Sequence, residues 1–222
     1  MTVIKGRNSK GQYEKDGKMF VSVTTLQRDL FDVPIYLLKW YCKLGFDEAM
    51  KIFKMAGAYG TALHHAFDTW FFKRNKTQLV TDSEFSEYSN RIRAIQGFIE
   101  KNKLETVAGE QTLFDEENCV AGTCDAVFKK DSVKEIWFFD WKSGKEKRFK
   151  ETMQVAEYAN MFMCMHPEYN AYKKVMCIVY VGKEDSAIPE IKIYQEDVIN
   201  YAIRMFKACA ELHRYKAFIE NL

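Results

Sequence analysis

Residues 120–142 read VAGTCDAVFKKDSVKEIWFFDWK: two apolar runs around a polar turn, the second closing on an acid and a base. On a strand, side chains alternate faces, so Ile136, Phe138, Asp140 and Lys142 share one side and Trp137, Phe139 and Trp141 the other. A buried charge is costly unless it is paired or bound to a metal. This strand end therefore holds either an ion pair or a reactive site. If the turn KKDSVK is centred between Ser132 and Val133, Asp125 falls opposite Asp140. Ser-Val is a weak turn pair, so that register can slip by a residue or two. Facing carboxylates repel; either one is held protonated or a cation lies between them. A divalent hard cation with oxygen ligands is the simplest resolution. Gly122 removes a side chain from the same strand, either to admit a close neighbour or to form a bulge.

Outward from this hairpin, strand-like runs TVAGEQTLF, KVMCIVYV and PEIKIY alternate with helical patterns. Helices are expected from Pro34 to about Arg74, broken near KLGFD and again near MAGAYG. Others are expected over about 83–103 (entered through TDSE), 150–165 and 196–218. In the last of these, Val198, Ala202, Met205, Cys209 and Leu212 form an apolar stripe. The order predicts an α+β (α/β) domain with a central mixed sheet flanked by helices. The chain of 222 residues suits one domain over 1–222. Within it, 1–18 reads as a flexible arm, 19–104 as mainly helical, and 105–222 as the sheet and helices that carry the candidate site.

A hydrophobic content of 47% with 15% aromatics excludes global disorder, and the near-balanced net charge of +2 says little about partners. Six scattered cysteines without a C-x-x-C pair argue against a zinc or iron–sulfur framework and fit reduced thiols. The polar start MTVIKGRNSKGQYEKDGK lacks a signal-peptide run. Nothing approaches the roughly 20 apolar residues of a membrane span. A soluble, cytoplasmic protein without membrane association is the expectation.

Beside two acids and a cation, the Lys142 ammonium can hold a phosphate or stabilise developing negative charge. Those are the parts that hydrolyse a phosphodiester. For an isolated D-x-K, a structural ion pair is the weightier reading, since the pattern is common by chance. Two further stretches bear on the choice. In GTALHHAFD, His64 and Asp68 share a helical face, with Gly60 one turn earlier; Asp68 is placed to orient the imidazole. In MQVAEYANMF, Gln154 and Tyr158 share another face. Beyond Lys142, SGKEKRFK crowds Lys145, Lys147, Arg148 and Lys150 beside the strand, as a solvated loop or a phosphate clamp. The helical front half is rich in aromatics, most expected in the core and some able to stack on unpaired bases.

Together these stretches resemble the RecB-type branch of the PD-(D/E)xK nuclease superfamily. That branch carries, in order, G-x-x-x-H (Gly60 to His64), G-x-x-D (Gly122 to Asp125), D-x-K (Asp140 to Lys142) and Q-x-x-x-Y (Gln154 to Tyr158). FVSVTTL, DWKSGKEKRF and CIVYVGKEDSAIPEIKIY are similar to segments of the mitochondrial genome maintenance exonuclease and phage exonuclease members, over about Phe20 to Tyr194. The resemblance implies a restriction-endonuclease-like core. It also implies Mg²⁺ or Mn²⁺ held by His64, Asp125, Asp140 and the Trp141 carbonyl. Lys142 would be catalytic together with Asp140; Gln154, Tyr158, Lys145 and Arg148 would bind the substrate. Glu110 sits where relatives often have an acid. Phe139 replaces the usual proline, and no iron–sulfur cluster is expected, since Cys164, Cys177 and Cys209 are far apart.

The activity implied is a metal-dependent exonuclease on DNA, at single-stranded ends, in replication, recombination or repair. A flap or junction endonuclease and a non-catalytic nucleic-acid-binding subunit are the other readings. Protein partners and the direction of digestion are not implied.

Overall fold

A computed structural model describes residues 3–73, 88–144, 148–182 and 188–220. Three short strands, β1 (Ile4–Lys5), β2 (Gln12–Lys15) and β3 (Lys18–Ser22), lead into α1 (Val23–Leu30), α2 (Ile35–Leu44), α3 (Phe46–Asp68) and α4 (Ser89–Asn102). Strands β4 (Glu105–Asp115), β5 (Val120–Lys130) and β6 (Glu135–Lys142) form a meander. Helix α5 (Arg148–Met165), strands β7 (Lys173–Tyr180) and β8 (Glu190–Tyr194), and α6 (Glu196–Glu220) complete the described elements. They build the expected architecture: one mixed eight-stranded sheet with helices on both faces.

The alternation in β6 sorts the layers. Ile136 and Phe138 pack with α1, α5 and α6, whereas Trp137, Phe139 and Trp141 pack with α3 and α4. Both faces are therefore dry, and the parallel β6–β7 pair is buried in the middle, as parallel pairing requires.

The turn after β5 is a single 3₁₀ turn over Asp131–Val133, closed by Lys134 at φ 50°. It sets the register Lys130↔Glu135 through Ala126↔Phe139, which is the expected one. One step further the ladder stops. Strand β4 runs along one edge of β5 to its first residue (Asp115↔Val120). The other edge of β5 is shared by β6 at Ala126–Lys130 and by parallel β3 at Val120 and Ala121. Strands β3 and β6 thus splay apart over residues 122–125, and Asp125 stands in the fork.

Several expectations change. Residues 4–5 and 12–15 are not a flexible arm but pair as β1 and β2 at the sheet edge. Asp16 (φ 50°) and Gly17 (φ 81°) make the turn with both central residues at positive φ that favours a hairpin. Helix α3 runs unbroken through MAGAYG. The buried face of α6 is Ile199, Ala202, Phe206 and Ala210, leaving Val198 and Leu212 exposed. The helix meets the sheet about one residue round from the expected stripe. The capping stretch TDSE lies outside the described residues.

One buried group gives a pH prediction. Glu157 on α5 is fully buried. That burial, with Asp115 beside it, raises its pKa to about 8, against smaller opposing help from Asn160 and Lys207. Because the folded value lies above the unfolded one of 4.5, protonated Glu157 supports the fold fully below pH 4.5. That support is lost as pH rises through 8. Glu157→Gln is expected to match the parent in Tm near pH 4 and to exceed it by several degrees at pH 9. Thermal melts at the two pH values check this.

Candidate active site

The splay between β3 and β6 explains why a carboxylate belongs at position 125. Beyond Phe139, the backbone of β6 no longer has β5 as its partner, and the Trp141 N–H needs an acceptor. Asp125 supplies one: Trp141 N donates to Asp125 Oδ2 at 2.8 Å. The second oxygen, Oδ1, lies 3.2 Å from Nδ1 of His64 on α3. Asp125 therefore joins the sheet to the helix that crosses it.

Asp140, the next residue across the fork, is 1% exposed. Its Oδ2 lies 2.7 Å from Lys142 Nζ as an ion pair. Lys142 Nζ also donates to Gln154 Oε1 at 3.3 Å, and Gln154 Nε2 donates to Tyr158 OH at 3.0 Å. Gln154 and Tyr158, one turn apart on α5, thus hold the lysine from the helix side. Gly122 makes the room: a Cβ there would overlap the Tyr158 ring. The missing side chain serves a packed aromatic, neither a bulge nor a ligand. Gly60, by contrast, would place a Cβ only 3.4 Å from Ser143 Oγ, an ordinary contact.

The electrostatics follow from two acids and two bases in a dry fork. Burial alone would lower the His64 pKa, but Asp125 and Asp140 outweigh it and raise it to about 9. Burial likewise lowers that of Lys142, and Asp140 with Asp125 more than restores it, leaving a net rise. Burial pushes the Asp140 carboxyl up, opposed by Lys142 and reinforced by Asp125. Near neutral pH the site holds an imidazolium and an ammonium against its carboxylates. Those two cations balance the charge that a bound divalent ion would otherwise balance.

Among the described residues, no three His, Cys, Asp or Glu side chains are already grouped to ligate one ion. The donor chemistry still fits a hard divalent cation: two buried carboxylates and an imidazole. Seating the ion requires the His64–Asp125 contact to open and the imidazole to lose its proton.

Of the other expected residues, Trp141 is found here through its N–H. Lys145 and the side chain of Arg148 lie outside the described residues. Asp68 is buried beside Gly109, where a Cβ would stand 2.6 Å from its Oδ1, while the His64 imidazole faces Asp125. Glu110 is exposed at φ 40°, an irregular point of β4.

Some neighbours carry no motif. Glu151, buried on α5, accepts a 2.5 Å hydrogen bond from Tyr180 OH and contributes to the field on Lys142. A cleft of about 320 Å³ opens beside Lys142 between α1 and α5, with Thr24, Arg28 and Lys150 on its walls. Helix α1 is fixed there by its Ser22 cap, which accepts from Thr25 N at 3.1 Å, and by Gln27 Nε2 donating to Lys150 O at 2.9 Å. An N-capping Ser before VTTL was available in the sequence; the approach of α1 to α5 depends on long-range packing.

No family model matches the chain, and no curated protein sequence matches it. Among solved structures it is similar to a phage-related exonuclease from Haemophilus somnus 129PT. The identity is 13%, the match covers 73% of this chain and 83% of that chain, and the TM-score is 0.32.

Proposed function

We propose that this chain is a divalent-metal-dependent deoxyribonuclease that hydrolyses DNA at single-stranded ends. The observation that carries the reading is the fork itself. Two buried carboxylates from the neighbouring strands β5 and β6 stand with a helix-borne imidazole on one side and an ammonium 2.7 Å from Asp140 on the other.

In this reading His64, Asp125, Asp140 and the Trp141 carbonyl hold Mg²⁺ or Mn²⁺. Such an ion lowers the pKa of a bound water and offsets charge on phosphoryl oxygens. The remaining chemistry belongs to the chain. Lys142, kept as an ammonium by its acidic neighbours, acts as a donor to phosphate oxygens rather than as a base. Gln154 and Tyr158 hold that ammonium at one place, so no reorganisation is needed when charge develops. Arg28 and Lys150 line the cleft beside Lys142, where cationic groups suit the backbone phosphates of a bound strand.

The test uses end-labelled single- and double-stranded DNA, with free or blocked termini, and circular single-stranded DNA. Cleavage of free single-stranded ends is expected with Mg²⁺ or Mn²⁺, none in EDTA, and none on circles. Full activity in EDTA would remove the metal-dependent reading. Cutting of circles would replace an exonuclease with an endonuclease. Binding of Mn²⁺ by calorimetry, accompanied by proton release at pH 7, checks the ligand set without reference to turnover.

A further inference from the structure

The helical front half presents an apolar surface that the sheet does not cover. Helix α2 buries no residue at all. Ile35 is 67% exposed, Tyr36 64%, Phe46 69% and Phe53 39%. Helices α2 and α3 form a hairpin tied by aromatic contacts. Trp40 and Phe53 meet edge to face at 5.4 Å between centroids, and Tyr41 and Phe46 stack at 6.2 Å. Exposed rings held in place by other rings need explanation, because monomeric proteins rarely leave such patches bare.

Charge selects the occupant. Lys39, Lys43, Lys51 and Lys54 are all exposed on this hairpin, with Asp47 and Glu48 as its exposed acids. Glu48 pairs with Lys51 at 3.1 Å, which leaves Lys39, Lys43 and Lys54 in excess over Asp47. Rings interleaved with lysines suit a ligand with flat apolar faces and a phosphate backbone, which is unpaired nucleic acid. An apolar protein partner would have no use for the ammonium groups of Lys39, Lys43 and Lys54.

The same helix connects the patch to the catalytic fork. Phe53, Gly57, Gly60 and His64 follow one another at i, i+4, i+7 and i+11, on one face of α3. The run covers about 16 Å. A Cβ at Gly57 would meet nothing within 4 Å. The face is thus open at Gly57, and Ser143 Oγ comes to it only at Gly60, 3.4 Å from where a Cβ would stand. It ends at His64, whose Nδ1 lies 3.2 Å from Asp125 Oδ1.

We infer that the α2–α3 hairpin is a stacking platform for a single-stranded segment of DNA, several nucleotides from the bond to be cut. Bases stack on Tyr36 and Phe53, lysines contact the phosphates, and the glycine floor of α3 leads the strand to His64. The inference rests on the proposed nuclease reading for what stands at the end of that floor, and its own test does not depend on cleavage.

The probe is fluorescein-labelled dT20, titrated in EDTA and followed by anisotropy. The double variant Tyr36→Ser with Phe53→Ser is expected to lose about tenfold or more in affinity for dT20, while affinity for a 20-base-pair duplex changes less than twofold. Tyr36→Trp with Phe53→Trp, which keeps the rings, should bind dT20 as the parent does. Lys39→Glu with Lys43→Glu should weaken binding and flatten its salt dependence, which keeps the test decisive if the serine variant does not fold. The platform is overturned if ring removal or charge reversal in a folded variant leaves dT20 affinity within twofold of the parent. It is equally overturned if sedimentation shows a dimer that the serine variant dissociates with dT20 binding unchanged, since a second copy would then be the occupant. A parent that binds dT20 through these rings yet cleaves nothing with Mg²⁺ or Mn²⁺ would sink the nuclease reading and leave the platform standing.

Discussion

Lys142→Ala is expected to lower the rate of DNA cleavage by about a hundredfold to a thousandfold, the scale seen when a pre-positioned donor to developing negative charge is removed. The effect should fall on kcat rather than on DNA affinity, because Lys142 is one cation among several around the cleft and, among the described residues, the one fixed against Asp140. Lys142→Arg separates charge from geometry. It keeps a cation beside Asp140, but the planar fork cannot reproduce a compact ammonium that meets both a carboxylate and Gln154 Oε1. Arg at 142 should bind DNA as the parent does and still lose most of the rate. The fold should survive either change, since Lys142 ends its strand with a side chain 20% exposed. Single-turnover cleavage of end-labelled single-stranded DNA, set beside anisotropy titrations, measures both quantities. Cutting by Lys142→Ala at the parental rate would end the role assigned to the lysine.

The part of this arrangement legible in the sequence is the part with a short period. Alternation in EIWFFDWK divides β6 between two faces, and the structure packs those faces against separate helical layers. The register up to Ala126↔Phe139 follows from turn length. What lies one step beyond does not follow: the ladder ends because β3 claims the same edge of β5, a contact between residues about 100 positions apart. The first hairpin was legible in principle, since Asp16-Gly17 is a strong turn signal, but the polar residues around it carry little strand pattern. The expected break of α3 at MAGAYG weighed two glycines too heavily. Each costs about 1 kcal/mol relative to Ala, and burial of Leu63, Ala66 and Phe67 further along the helix offsets that. Glu151, Tyr180 and Arg28 come to Lys142 from separate elements, with no spacing that announces them.

Asp140→Asn is expected to abolish cleavage while raising the stability of the metal-free protein. The two effects have one origin. Asp140 is nearly sealed from solvent and close to a second carboxylate, with Lys142 as its paired cation. A buried anion so placed is retained at a cost to the fold, and an amide of the same shape removes the charge without leaving a cavity. Lys142 remains in the field of Asp125 and Glu151, so it is not stranded. In EDTA at neutral pH, the variant should melt at or above the parental Tm. With Mn²⁺ the order should reverse: the parent gains stability through binding to the native state, and the variant, missing a charged ligand, gains little. Cleavage should fall by at least as much as is expected for Lys142→Ala. A purely structural Asp140–Lys142 ion pair predicts the opposite pattern. Breaking it would destabilise the protein by an amount indifferent to Mn²⁺, so melting curves with and without the ion decide between the two.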